Sequence, residues 1–223
     1  MANRSYLYSI NFDISKREKQ EDDIVLSLSE YKAYIPLAFQ ILVSQDSKMC
    51  RSLIWDCEYL VGIVGDYRKG MQKLFDFLTQ LATEDLFDQT ELLEHIETTK
   101  AFLSERQQDY ILLECLELYQ FLDEPVETQN TELFKNSIQD IDDVINDYMD
   151  YFKSFKASKI QLEEEIAELS KPRSTLKKLF YRKNNDDKIR TLQTKVAYYD
   201  EKMSSYLGID YWREVLYFQF DKE

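Results

Sequence analysis

Ten positions between residues 138 and 169 recur at alternating steps of three and four: Ile138, Ile141, Ile145, Tyr148, Phe152, Phe155, Lys159, Leu162, Ile166 and Leu169. Nine of the ten are apolar or aromatic, and Lys159 is the single defect. A heptad stripe of this length demands a long helix with a partner helix laid along it. The same spacing returns in Ile189, Leu192, Val196, Tyr199, Met203 and Tyr206. Pro172 and a polar stretch at residues 184–187 separate the two runs. Two such helices with a short connection are expected to fold back as an antiparallel hairpin over residues 131–207, with Thr131 as the first cap.

The first third reads differently. Tyr6, Tyr8, Ile10 and Phe12 alternate with smaller or polar residues, as do Ile24, Leu26 and Leu28, which predicts two strands with one buried face each. Pro36 stands where a first-turn proline would, ahead of Leu37, Phe39, Ile41 and Leu42, so a short helix follows. Residues 53–56 and 59–64 read as two more strands, and from Tyr67 the period becomes helical through Met71, Leu74, Phe75, Leu78 and Leu81. Beyond that point every segment reads as helix, including an apolar stripe over residues 90–123 that Pro125 ends. The expected fold is α+β: a mixed α/β unit over residues 1–85, then a mainly helical unit over residues 86–223 containing the hairpin. Only four glycines and three prolines punctuate the chain, which favours long helices over a many-stranded β fold.

Charge is segregated along the sequence. Residues 84–170 carry 23 acidic and 6 basic side chains, a balance of −17 that exceeds the −14 of the whole chain. Residues 171–195 reverse the sign with nine basic and two acidic groups, while residues 1–83 are nearly balanced. Glu163, Glu164, Glu165 and Glu168 would meet Lys171, Arg173, Lys177 and Lys178 near the hairpin bend, leaving the acidic surface from Glu84 to Asp150 unbalanced. Such a surface speaks to partners and solubility rather than fold. The start of the chain lacks the apolar core of a signal peptide, and no window is apolar enough to span a membrane. Cys50, Cys57 and Cys115 are odd in number and lack metal-ligand spacing. They read as buried reduced thiols of a cytoplasmic protein.

Motifs for chemistry are weak. His95, the lone histidine, has Glu91 and Glu94 beside it but no further ligand at helical metal-site spacing, so it reads as a surface helix residue. Asp140, Asp142, Asp143, Asp147 and Asp150 form an Asp-rich helical run, in which Asp143, Asp147 and Asp150 share a face at i, i+4, i+7. Without a second Asp-rich helix to close a cation site, this is an acidic binding or solvated face, and no metal or cofactor is expected. Gly62, Gly65 and Gly70 around Asp66-Tyr67-Arg68-Lys69 match neither phosphate-binding fingerprint, so a tight strand-to-helix turn is the plain reading. No nucleophile elbow is present. Residues 177–183 mix Lys177, Lys178, Arg182 and Lys183 with Phe180 and Tyr181, but an otherwise acidic molecule repels phosphate, so no nucleic acid is expected.

Several short blocks occur in order near the start. They are Met1 to Ser9 as MANRSYLYS, Ser29-Glu30, Ile35-Pro36-Leu37, Ile41-Leu42-Val43-Ser44, Cys50-Arg51-Ser52, Ile54-Trp55, and Gly65-Asp66-Tyr67 with Gly70. Over about residues 1–85 they resemble an uncharacterised bacterial family of unknown function, which implies no mechanism. Small acidic bacterial proteins without enzyme motifs are similar in general character to immunity proteins that neutralise toxins. The expected function is therefore non-enzymatic: an acidic surface that occludes a basic protein partner, concretely a toxin such as a nuclease. The expected contacts are Asp140, Asp143, Asp147, Asp150, Glu91, Glu94 and Glu97, with Tyr148 and Tyr151 as aromatic anchors. The alternatives are a nucleotide- or anion-binding regulator or enzyme using the 62–70 turn, and a structural module that self-associates through its hairpin.

Overall fold

The computed structural model describes residues 3–120, 123–171 and 178–220, with the backbone alone for residues 178–184. Alternation at the start of the chain makes β1 (Arg4–Ile10), which pairs antiparallel with β2 (Val25–Lys32). Behind Pro36, whose φ of −61° suits a helix entry, runs the wholly buried α1 (Leu37–Val43). Then come β3 (Lys48–Cys50) and β4 (Gly62–Asp66), which leads without a break into α2 (Tyr67–Leu81). The Asp66 carboxylate accepts from the Lys69 backbone N–H at 2.9 Å and caps α2. Asp88 does the same for α3 (Gln89–Glu105), accepting from Thr90 and Glu91.

Four strands are expected before residue 67 and none after it; the structure corrects this. Tyr110–Glu114 is β5, and it occupies the middle of an all-antiparallel five-stranded sheet ordered β2-β1-β5-β4-β3. Its run Ile111-Leu112-Leu113 is continuously apolar because both faces of the strand are covered, and such a run also satisfies a helical stripe. The sheet thus takes its central strand from beyond residue 85. Residues 53–56 are not a strand but part of a loop, in which the Ser52 hydroxyl accepts from the amides of Ile54 and Trp55. β1 is buried on both faces, not one.

After β5 come α4 (Leu116–Tyr119), α5 (Val126–Leu133) and a π-helical turn, Phe134–Gln139. The long hairpin follows as α6 (Ile141–Ser170) and α7 (Lys178–Leu207). Thr131 does not cap the hairpin; it lies inside α5 and donates to the Glu127 carbonyl. The break at Asp140, with φ −98° and ψ 34°, starts α6 nine residues later than a Thr131 cap would have. The arms run antiparallel. Phe155 packs on Tyr199 at 5.1 Å between ring centroids, Lys159 bonds Asp200 at 2.7 Å, and Glu165 meets Lys188 at 2.7 Å. The seam defect Lys159 therefore holds a cross-hairpin ion pair. The pairing expected at the bend lies partly outside the described residues; Glu168 there pairs with Lys171.

One face of the sheet, carrying Leu7, Leu28, Ile63, Ile111 and Leu113, packs with α1, α2 and the inner hairpin residues Ile141, Ile145, Met149, Phe152, Met203 and Leu207 into the main core. The other face presents Tyr6, Tyr8, Ile10, Val64 and Leu112 to a smaller core, which the 53–54 loop and an irregular strap at residues 209–220 close. The strap is pinned along its length. Trp212 Nε1 donates to Thr99 Oγ1 at 2.8 Å, the Arg213 N–H to the Leu28 carbonyl at 2.8 Å, and the Tyr8 hydroxyl to the Phe218 carbonyl at 2.7 Å. Phe218 also sets its ring edge-on against Tyr6 and Trp55.

Candidate binding groove

Helical spacing arranges the acidic residues of α6 into a row. Asp143, Asp147 and Tyr151 follow one another at i, i+4 and i+8, with Asp150 beside them, and all four are exposed. Asp142 is tied to Lys73 of α2, and Asp150 approaches Lys153 at 4.0 Å. Asp143 and Asp147 have no ion-pair partner among the described residues. Asp140 marks the start of α6, its carbonyl accepting from the amides of Asp143 and Val144.

Next to this row the hairpin opens a groove of about 380 Å³ lined by Asp147, Tyr148 and Tyr151 of α6 and Tyr206 of α7. Tyr206 lies 5.4 Å from Tyr151 and 6.5 Å from Tyr148 between ring centroids. Tyr34, from the loop before α1, backs Tyr206 edge-on at 5.6 Å and donates its hydroxyl to the Ser205 carbonyl at 2.8 Å. Tyr151 remains 39% exposed and Tyr198, further along α7, 52%. The Lys202 ammonium sits 5.1 Å from the Tyr206 ring centre and 5.6 Å from that of Tyr198. Burial, then the Tyr206 hydroxyl, pushes the Tyr151 phenol up to about 12, and burial also raises Tyr148. Near neutral pH both are thus uncharged rings with a hydroxyl to share.

Of the expected contacts, Asp143, Asp147, Asp150, Tyr148 and Tyr151 share the α6 surface. Glu91, Glu94 and Glu97 are exposed on α3. Glu91, whose carboxylate is 3.7 Å from His95 Nε2, lines a separate cavity of about 260 Å³ with Asp88, Lys156, Lys159 and Asp200. Among the described residues no group of three or more His, Cys, Asp or Glu side chains is placed to hold a metal ion. The thiols of Cys50, Cys57 and Cys115 are free.

The glycines of the 62–70 turn have a packing role. A Cβ on Gly65 would lie 2.3 Å from the Val43 carbonyl oxygen, and one on Gly70 1.9 Å from that of Leu42. Both let β4 and α2 press against the end of α1. The basic side chains of residues 177–183 lie outside the described residues.

Two features escape sequence reading. Tyr206 and Tyr199 show in the heptad stripe, but which ring meets Tyr151 depends on the register of two helices. Glu114 is the other. It is 1% exposed, faces Gly62 of β4 and Tyr6 of β1, and accepts the Leu53 N–H at 2.5 Å. Its burial outweighs that bond and raises the carboxyl to about 7. One acidic residue inside Ile-Leu-Leu-Glu-Cys-Leu was the available signal.

No helix among the described residues is long and apolar enough to cross a membrane. Comparison with curated proteins and with solved structures returns no match. The profile of one family does match, over residues 14–156, a span that begins after the Met1 to Ser9 block and extends past the later blocks through β5 and the first half of α6. The chain belongs to that family, which is described as a domain of unknown function, DUF7822.

Proposed function

We propose that this protein is a non-enzymatic binding protein of the cytoplasm whose acidic hairpin face occludes a basic protein partner, concretely an immunity protein acting on a toxin such as a nuclease. The observation that carries the reading is the placement of Asp143, Asp147 and Asp150 alongside a tyrosine-lined groove. Interfaces rely on a few aromatic anchors within a polar rim, and rigid tyrosines lose little entropy on binding. Opposite charge speeds the encounter, because a long-range field orients the partner before contact. A nuclease holds phosphate with lysine and arginine, so an acidic protein complements the surface it must block.

The test is affinity capture from the native host on immobilised protein. Wild type is compared with a variant carrying Asp143→Asn, Asp147→Asn and Asp150→Asn together. The expected result is a basic protein retained by wild type and depleted by the variant. Stopped-flow association of the purified pair should slow as salt rises, and slow further in the variant, with circular dichroism unchanged. A partner retained equally by both proteins, with a rate indifferent to salt, overturns the reading.

A further inference from the structure

We infer that the tyrosine groove is a receptor for a single arginine or lysine side chain of the basic partner, and that Lys202 is the receptor's built-in competitor. The inference rests on the basic-partner reading and specifies its central contact.

Three phenol rings and one carboxylate line the groove: Tyr148, Tyr151, Tyr206 and Asp147. Ring faces carry negative electrostatic potential, and a cation over them gains most where water is partly displaced. Asp147 adds a formal charge at the groove wall, and Asp143 and Asp150 deepen the field from the same helix face. One of these rings already holds a cation, because the Lys202 ammonium lies over Tyr206, and over Tyr198 outside the groove, at ring-contact distance. Anionic occupants are repelled by the three aspartates. A purely apolar occupant would strip water from Asp147 and return no partner to it. A cationic side chain on an apolar stem satisfies both the rings and the carboxylate, and the volume of about 380 Å³ suits one side chain rather than a folded element. Lys202 occupies one of these rings and places a like charge beside any incoming cation, so it is expected to lower the affinity.

A fluorescein-labelled peptide of alternating arginine and serine is titrated with the full chain by anisotropy at low salt. Tyr151→Leu is expected to weaken binding by about two- to fivefold, the range of an exposed cation–π contact. Tyr151→Phe keeps the ring and is expected to bind as wild type does. Lys202→Met should tighten binding more than Lys195→Met, which removes the same charge from an exposed site on α7. The two lysine variants separate a local competitor from a general change in net charge. Equal effects of the two lysine variants, or an unchanged affinity in Tyr151→Leu, overturn the inference. If the peptide responds to the triple aspartate variant but to none of the tyrosine or Lys202 changes, the receptor is refuted while the acidic-face reading stands. A peptide that does not bind wild type also refutes the receptor, whereas the basic-partner reading is decided separately by the capture experiment.

Discussion

Glu114 sits where the fold least tolerates charge. It lies in the central strand, under the 53–54 loop, with the Leu53 amide as the hydrogen-bond donor to one carboxylate oxygen. Tyr8, Cys50 and Cys115 nearby are held neutral by burial, and none of them is a residue type that could bring a positive charge to the carboxylate. The carboxyl rises from an ordinary 4.5 to about 7. The folded protein therefore binds this proton more tightly than the unfolded chain does. Glu114 contributes most to stability below about pH 4.5, and that contribution is lost as pH rises through about 7. Glu114→Gln removes the titration and keeps an acceptor for Leu53. It is expected to stabilise the protein by about 2 kcal/mol above neutrality, with the gain shrinking on acidification. Urea denaturation across a pH series measures it. A gain that does not vary with pH would show that Glu114 does not titrate in this window.

The hairpin joins a buried half to an exposed half. Ile141, Ile145, Met149 and Phe152 enter the main core, with Phe152 fully buried and edge-on to Phe87 at 5.2 Å. Beyond Phe152 no residue of α6 is fully buried, and Leu162, Ile166 and Leu169 are half-buried. Phe152→Ala is accordingly expected to cost about 3–5 kcal/mol through lost contacts and a cavity, and Leu162→Ala less than about 2 kcal/mol. Thermal or urea melts compare them, and equal costs would mean that the outer arm is as tightly packed as the inner. The 3-4 spacing made both helices legible because the side-chain period of a helix is fixed by its geometry. It did not show that Asp140 and a π-helical turn separate Ile138 from the rest of the stripe, since Ile138 is still buried on the same side. β5 was illegible for the opposite reason: a strand covered on both faces has no alternation to detect. The α6 half of the groove could be read from spacing alone, as Asp147 and Tyr151 are one turn apart. Its α7 half could not, because Tyr206 and Lys202 arrive through the inter-helix register.

At the scale of the molecule, the order β2-β1-β5-β4-β3 makes the sheet a long-range construction, with Tyr6 of β1 paired to Glu114 of β5. The strap adds a longer span still, linking Tyr8 to Phe218 and Leu28 to Arg213. It covers the aromatic face of the sheet and bonds to its β2 edge, which would otherwise invite pairing with another chain. Ending the chain after residue 210 is expected to cost about 3 kcal/mol or more, with Leu216 the buried side chain lost among the described residues. Exposed-surface dye binding and light scattering should rise together. A shortened chain that stays monomeric and melts as the full protein does would show the strap to be ornamental. The same feature bears on how the protein is made. Synthesis proceeds from β1 onward, yet the face of Tyr6 and Tyr8, partly covered by the 53–54 loop, receives the rest of its cover only some two hundred residues later, when Phe218 has been added. A nascent chain complete through α7 carries a five-stranded sheet whose aromatic face is only partly covered, so a ribosome stalled there is expected to hold a sticky intermediate until the strap arrives.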